Sequence, residues 1–493
     1  MLLIKQKIIN NKIYIFLFLI TFFIAFSSTY NPLNFRRMHV DSSIYITIAK
    51  GIIQGQLPYK DFVDNKGPLA YLISVPGIFL GGFTGIWITE ILLLLISVLF
   101  AYKTALFFGN QLIALIGTIF SFIIFLVFFT VSAGTEEYSL PFLMISFYIF
   151  TKYFLINKKD VDFIELITLG ICFSCAILIR FNMFPLWIGF CLVIFIESIK
   201  QRRFILLIKY LLGFCLGIFI IFIPVFLYLK LNGIFNEFIN QAVYGGAARG
   251  FSGNGLEEFA KNFYIVINRG FSALPLFYGL FQVIKHFKKN YFTFYLSYTL
   301  SCLLMIFFLS FSSGGSHYNV VLVPFFIPAI VFMINIISLS FSDIKYKNII
   351  LILFFCFVFS EGIINFLYDF TKIFTNNSGI ELKNAGKIID SHTNSGDKII
   401  SLGFNGYVYP FTRREIASKY FYQGSGLNHI PGAREGFISD IVSGKPAIIV
   451  LFNGKDGISQ IMHDWHDPIF IMINNEYHIL SRENGFILYK RNN

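Results

Sequence analysis

His39-Val40-Asp41-Ser42-Ser43-Ile44-Tyr45, followed by Pro58-Tyr59-Lys60-Asp61-Phe62-Val63-Asp64-Asn65-Lys66-Gly67-Pro68, is a polar island between the first two long apolar runs of this chain. Charged residues make up only 13% of the sequence, yet three Asp and two Lys fall within these two stretches. Ionisable groups concentrated beside lipid-soluble spans mark function rather than tethering. The island therefore reads as a catalytic loop on a membrane scaffold.

The rest of the composition supplies that scaffold. With 56% hydrophobic and 19% aromatic residues, 64 of them Phe, the chain has the make-up of an integral membrane protein. The net charge of +12 does not call for a nucleic-acid partner, because Lys and Arg cluster at the ends of apolar runs. That is the positive-inside pattern, with added attraction to anionic lipid. All six Cys lie within apolar runs, and the Cys172-x-x-Cys175 pair reads as small-residue packing. Lys5, Lys7 and Lys12 precede the run Ile13 to Phe26, which reads as an uncleaved first helix.

Since about 30 Å of hydrocarbon at about 1.5 Å per residue needs roughly twenty apolar residues, about eleven spans are expected. They are Ile13–Ser28, Ile86–Phe108, Leu112–Val131, Leu140–Leu155, Ile164–Ile179, Phe184–Ile199, Ile205–Leu229, Phe263–Ile284, Tyr291–Phe311, Val320–Ser340 and Ile349–Leu367. The Phe263–Ile284 span carries Asn268, Arg269 and Pro275 and is expected to be irregular. Leu69 to Leu80 is too short to span and ends at Gly81-Gly82, so it is expected to lie along the interface. With this parity every basic cluster faces the cytoplasm, and the first loop (29–85), Glu136-Glu137, Arg180, the Gly-rich loop Gly245 to Gly255 and His317-Tyr318 share the opposite face.

Beyond about Phe370 apolar runs shrink to strand length at Lys398–Leu402, Ala447–Phe452, Tyr477–Leu480 and Phe486–Tyr489. Amphipathic stretches at Ile380–Ile389 and Glu435–Val442 alternate with them. The expected organisation is a membrane catalytic domain, 1–369, and an extracytoplasmic α/β domain, 370–493.

Several residues carry candidate chemistry. Asp41 can accept a proton from an attacking hydroxyl, and it equally suits the start of a helix at Ser42. Lys66, before Gly67-Pro68, can bind a lipid phosphate as a point charge or simply snorkel. Glu136 and Glu137 can hold a sugar substituent or a divalent cation, or remain solvated. Arg180, on the side that positive-inside bias disfavours, offers a second phosphate ligand, and His317-Tyr318 offers two hydrogen-bonding rings. No cofactor is assigned beyond a candidate divalent cation, and the ligands of any metal are left open. Walker, G-x-G-x-x-G and G-x-S-x-G patterns are not evident.

An Asp just after the first span, the element Tyr59-x-Asp61-x-x-x-x-Lys66-x-Pro68, a short apolar helix, acidic residues after the third span and a C-terminal α/β domain together resemble the GT-C superfamily. The resemblance is to its protein O-mannosyltransferase and lipid A aminoarabinose transferase branch. It implies an α-helical polytopic glycosyltransferase in the cell membrane. Such an enzyme moves a sugar, with inversion, from a polyprenyl-phosphate donor to a glycan, lipid or protein acceptor on the extracytoplasmic face. It also implies a catalytic role for Asp41, donor-phosphate contact for Lys66, and a role for either Glu136 or Glu137. Asp61 and Asp64 join the substrate-binding candidates with His317 and Tyr318, and Arg180 joins Lys66 as a phosphate ligand. The family often carries Asp-Glu where this chain has Asp41-Ser42, which makes a protein O-mannosyltransferase proper the less fitting member. A lipid-linked glycan flippase or a glycan polymerase is the alternative. Polar groups gathered at one face, without an internal repeat, disfavour the flippase.

Overall fold

A computed structural model describes residues 2–33, 35–36, 38–129, 131–156, 161–246, 256–311, 315–340, 378–403, 406–423, 432–452, 460–483 and 485–492, with scattered positions between 353 and 371. The expected span Ile349–Leu367 is described only at scattered positions, and the centre of the Gly-rich loop and Ser312 to Gly314 lie outside the described residues.

Among the described residues, six helices are long and apolar enough to cross a membrane: Leu69–Ala105, Gln111–Phe128, Thr135–Leu155, Phe204–Leu231, Phe292–Ser310 and His317–Leu339. Shorter apolar helices cover Lys12–Ala25, Phe163–Ile179 and Leu274–Lys285. The protein is a multi-pass, mainly helical membrane protein. The first of the long helices is broken at Gly81-Gly82, where the backbone leaves helical values (Gly82 φ 56°). Only glycine takes up that left-handed geometry without a penalty.

The expected span Phe263–Ile284 is irregular, as its polar residues and Pro275 predict. Leu256–Asn268 and Leu274–Lys285 are separate, joined by a 3₁₀ turn at Arg269–Phe271. Pro275, which has no N–H to give to a continuous helix, sits in the first turn of the second piece. The buried Asn319 amide stitches the break, donating to the Val266 carbonyl at 3.1 Å and the Ser272 hydroxyl at 2.8 Å.

The chain forms two compact units. One comprises residues 1–28, 88–225 and 253–372; the other, 29–87, 226–252 and 373–493. In the first, aromatic and branched side chains fill a single core, with Phe147, Phe190, Tyr298 and Phe325 fully buried. Its helices approach closely where side chains are small. Phe163–Ile179 and Phe204–Leu231 meet at Gly170 and Gly217, where a Cβ on Gly170 would lie 2.1 Å from the Phe214 carbonyl oxygen. With Gly213 this is the small-xxx-small pattern of packed membrane helices.

The second unit contains a five-stranded sheet: β1 (Lys398–Leu402), β2 (Glu415–Ile416), β3 (Ile448–Phe452), β4 (Tyr477–Glu483) and β5 (Phe486–Arg491), in the order β2-β1-β3-β5-β4. β1 pairs in parallel with β2 and β3, and β5 joins β3 and β4 antiparallel. Four strands fall where the short apolar runs place them; β2 and the helix Gln460–Glu476 were not anticipated. The sheet's core of Ile400, Leu402, Phe437, Ile441, Ile449 and Leu451 also takes in Val63 from the first loop. The Val63 N–H donates to the Lys419 carbonyl at 2.9 Å.

Candidate active-site clusters

Asp41 lies in the first turn of the helix Val40–Ile53, half-buried. His39 is the N-cap, and its Nδ1 accepts from the Asp41 N–H at 3.2 Å. Burial pushes the His39 imidazole below its usual range, while the Asp41 carboxylate opposes the shift; a neutral ring suits the acceptor role of Nδ1. Ser42 and Ser43 donate to the carbonyls of His39 and Val40, and the Gly406 N–H donates to the Ser43 hydroxyl at 3.0 Å. At the helix's far end the Lys50 ammonium donates to the carbonyls of Tyr409, Pro410 and Thr412, in and just after a 3₁₀ turn. Side chains along this one helix tie it to the segment 406–412 of the same unit.

The second half of the island, Pro58 to Pro68, is a turn fastened from within. Asp61 accepts from the Leu57 N–H at 2.7 Å while its own N–H donates to the Leu57 carbonyl. Asp64, 4% exposed, accepts from two phenols: Tyr71 at 2.6 Å and Tyr422 at 2.7 Å. Tyr59, fully buried, sits at φ 68°, the left-handed region, and its hydroxyl donates to the Lys66 carbonyl at 2.7 Å. Burial, and then Asp64, hold the Tyr59 phenol protonated far above its ordinary range, so it remains a donor. The Lys66 Nζ donates to Asn65 Oδ1 at 3.2 Å. Asp61 and Asp64 thus shape the loop that presents Lys66, and Asp41 and Lys66 belong to the same compact unit.

The remaining candidates fall in the other unit. Glu136 and Glu137 occupy the first turn of Thr135–Leu155, both buried. Neighbouring helix positions point in different directions, and the two carboxylates find different partners. Glu136 pairs with Arg180 and accepts from the Thr135 hydroxyl at 2.9 Å. Arg180 stacks its guanidinium on Tyr318, 4.3 Å from the ring centroid, and the His317 and Tyr318 rings are 4.2 Å apart. His317 and Tyr318 lie in an ordered 3₁₀ segment, Ser316–Leu322.

Glu137 instead shares the Ala133 N–H with Glu90, at 2.9 and 2.7 Å, and Glu90 also accepts from the Ser28 hydroxyl at 2.5 Å. Ala133 holds φ 54°, an uncommon value for a residue with a Cβ. Glu90 was missed in the sequence, although a lone carboxylate inside an apolar run is itself a signal. The tyrosines at 71 and 422 carried no local signal. Among the described residues no three His, Cys, Asp or Glu side chains gather into a metal-binding group.

Residues 4–349 match the family model described as "Putative competence-induced protein Ccs4 N-terminal domain". No curated protein sequence matches the chain. Among solved structures, ArnT from Cupriavidus metallidurans bound to undecaprenyl phosphate aligns with a TM-score of 0.62 at 12% identity, covering 97% of each chain. The archaeal oligosaccharyltransferase AglB from Archaeoglobus fulgidus, in complex with an inhibitory peptide and a dolichol-phosphate, aligns with a TM-score of 0.56 at 11% identity. That match covers 99% of this chain and 74% of the archaeal one. The fold is the one that these two solved structures share with this chain.

Proposed function

We propose that this chain, which belongs to the family described as "Putative competence-induced protein Ccs4 N-terminal domain", is a membrane glycosyltransferase. In this reading it transfers a sugar from a polyprenyl-phosphate donor to a hydroxyl of a cell-envelope glycan, lipid or protein, on the extracytoplasmic face. The observation that carries the reading is a GT-C fold over nearly the whole chain with Asp41 and the Lys66 turn built into one compact unit. Two solved relatives hold a polyprenyl or dolichyl phosphate.

In the proposed step the acceptor oxygen attacks the anomeric carbon. A new C–O bond forms as the bond to the phosphate oxygen breaks, inverting the centre. Asp41 takes the hydroxyl proton. The leaving polyprenyl phosphate keeps the electron pair and gains negative charge, which the Lys66 ammonium stabilises. Arg180 is a second cation suited to an anionic group of the substrate, its orientation set by Glu136 and Tyr318.

The flippase alternative has one observation on its side, the carboxyl pair Glu90 and Glu137 within apolar helices. The two readings separate in one experiment. Cell-envelope glycans are compared by mass spectrometry with and without the gene, and the purified chain is then given the corresponding polyprenyl-phosphate sugar and acceptor in detergent. Loss of one sugar in the mutant, together with transfer by the purified protein, supports the transferase. Transfer that never occurs without a sealed bilayer would favour transport.

A further inference from the structure

The turn that carries Lys66 is braced by a segment far away in sequence within the same compact unit. After the helix Phe204–Leu231 the chain forms a short helix, Phe235–Phe238, that continues as a π-helical turn, Ile239–Tyr244. Such turns are rare and recur at functional sites, because the extra residue per turn shifts side chains out of helical register. Gln241 sits in this turn, half-buried. Its Nε2 donates to the Tyr59 carbonyl at 2.7 Å, and its Oε1 accepts from the Asp64 N–H at 3.2 Å. One amide therefore spans the turn from Tyr59 to Asp64, using a donor and an acceptor as a neighbouring strand would. Phe238 packs edge-on against the Tyr59 ring at 5.4 Å. Gly246 passes the other end, where a Cβ would meet the Asn65 carbonyl oxygen at 3.6 Å.

Tyr59 needs that bracing. Its left-handed backbone is unfavourable for a residue with a Cβ. In this conformation its ring reaches Lys66: the same residue whose carbonyl Gln241 holds donates its hydroxyl to the Lys66 carbonyl.

We propose that Gln241 is a positioning residue for the Lys66 ammonium. By fixing the Tyr59 carbonyl and the Asp64 N–H it keeps the turn in the one shape that presents Lys66 to an anionic headgroup. Gln241 touches no reacting group in this account and acts through the main chain. The inference rests on the reading of Lys66 as the phosphate-binding cation, and the test separates the two.

The probe is undecaprenyl phosphate, titrated onto the purified full-length chain in detergent, for wild type, Lys66→Ala, Gln241→Ala and the double variant. Gln241→Glu, which keeps the volume and the acceptor but loses the donor to Tyr59, carries the test if the alanine variant does not fold. Lys66→Ala should weaken binding tenfold or more (roughly a charged hydrogen bond), and Gln241→Ala about five- to tenfold. The double variant should bind no more weakly than Lys66→Ala, because Gln241 acts through the lysine. A merely structural role would lower thermal stability without making the effect vanish in the Lys66→Ala background. Normal binding by Gln241→Ala, or additive losses in the double variant, would overturn the inference and leave the role of Lys66 intact. Unchanged binding by Lys66→Ala would overturn the phosphate reading itself, and the inference with it.

Discussion

Arg180 sits over the ring of Tyr318, its Cζ 4.3 Å from the centroid, while Glu136 neutralises the guanidinium. The side chains are 12% and 4% exposed for Arg180 and Glu136, so this is a desolvated pair whose members depend on one another. Arg180→Ala should lower stability by about 3–5 kcal/mol by leaving a buried carboxylate unmatched. Arg180→Met combined with Glu136→Gln should recover most of that loss, read as the thermal midpoint of the protein in detergent. Equal midpoints for the single and double variants would show that the pair is not coupled.

Asp41→Asn should reduce transfer by roughly 10²–10⁴-fold, the usual loss for a general base, with normal protein level and insertion. Asparagine keeps the N–H that His39 accepts at the start of the helix. Turnover with purified donor lipid is the measurement, and near-normal rates would remove Asp41 from the chemistry.

Tyr422→Phe deletes one of two phenols that donate to the buried Asp64. A lost hydrogen bond to a buried charged group costs about 1.5–3 kcal/mol. Tyr71→Phe should behave similarly, and the two losses should not add, since they share one carboxylate. Denaturation midpoints of the two single variants and the double variant test this directly.

Lys50 sets a pH dependence. Burial pushes its ammonium down to about 8, with Asp390 pulling upward and Arg413 pushing further down. Between about pH 8 and the ordinary lysine value near 10.4, the unfolded chain holds a proton that the folded protein has released. Folding stability from this group therefore rises with pH across that window and is flat below it. Lys50→Met should abolish the rise: the midpoint difference between wild type and variant should shift in favour of wild type from pH 7.5 to 10. A difference independent of pH would show that the three carbonyls hold the ammonium charged throughout.

Ser391, at the exposed end of the helix Ser378–Ser391, reports the side of the membrane. As the only cysteine in a chain whose six native Cys are replaced, it should react with an impermeant thiol reagent on intact cells, or on spheroplasts where an outer membrane blocks access. Labelling only after lysis would place this segment in the cytoplasm and reverse the positive-inside assignment.

Much of the scaffold was legible because lipid leaves a long apolar run little choice but helix. Thus Leu112–Val131 and Gln111–Phe128 coincide closely, and the Gly81-Gly82 break falls where the glycines stand. The strands at 398–402 and 448–452 were readable from length and β-branching. Partners were not readable. Nothing near Asp64 announces Tyr422, and nothing near Glu136 announces Arg180, because both pairings are made by tertiary folding. Asp61 and Asp64 show the same limit: a carboxylate in a loop has no local sign of the phenol or backbone N–H that donates to it.

The hydrogen bond from Tyr422 to Asp64 joins residues 358 apart, which gives the fold an order in time. At about 5–20 residues per second of synthesis, the first loop leaves the ribosome roughly twenty seconds to a minute before its partner exists. During that interval Asp64 has only Tyr71 of its two phenols, and Val63 has no sheet to enter. A chain that stops short of Tyr422 never completes the loop. The turn that carries Lys66 therefore gains its distant partners, Tyr422 and the sheet around Val63, only late in synthesis.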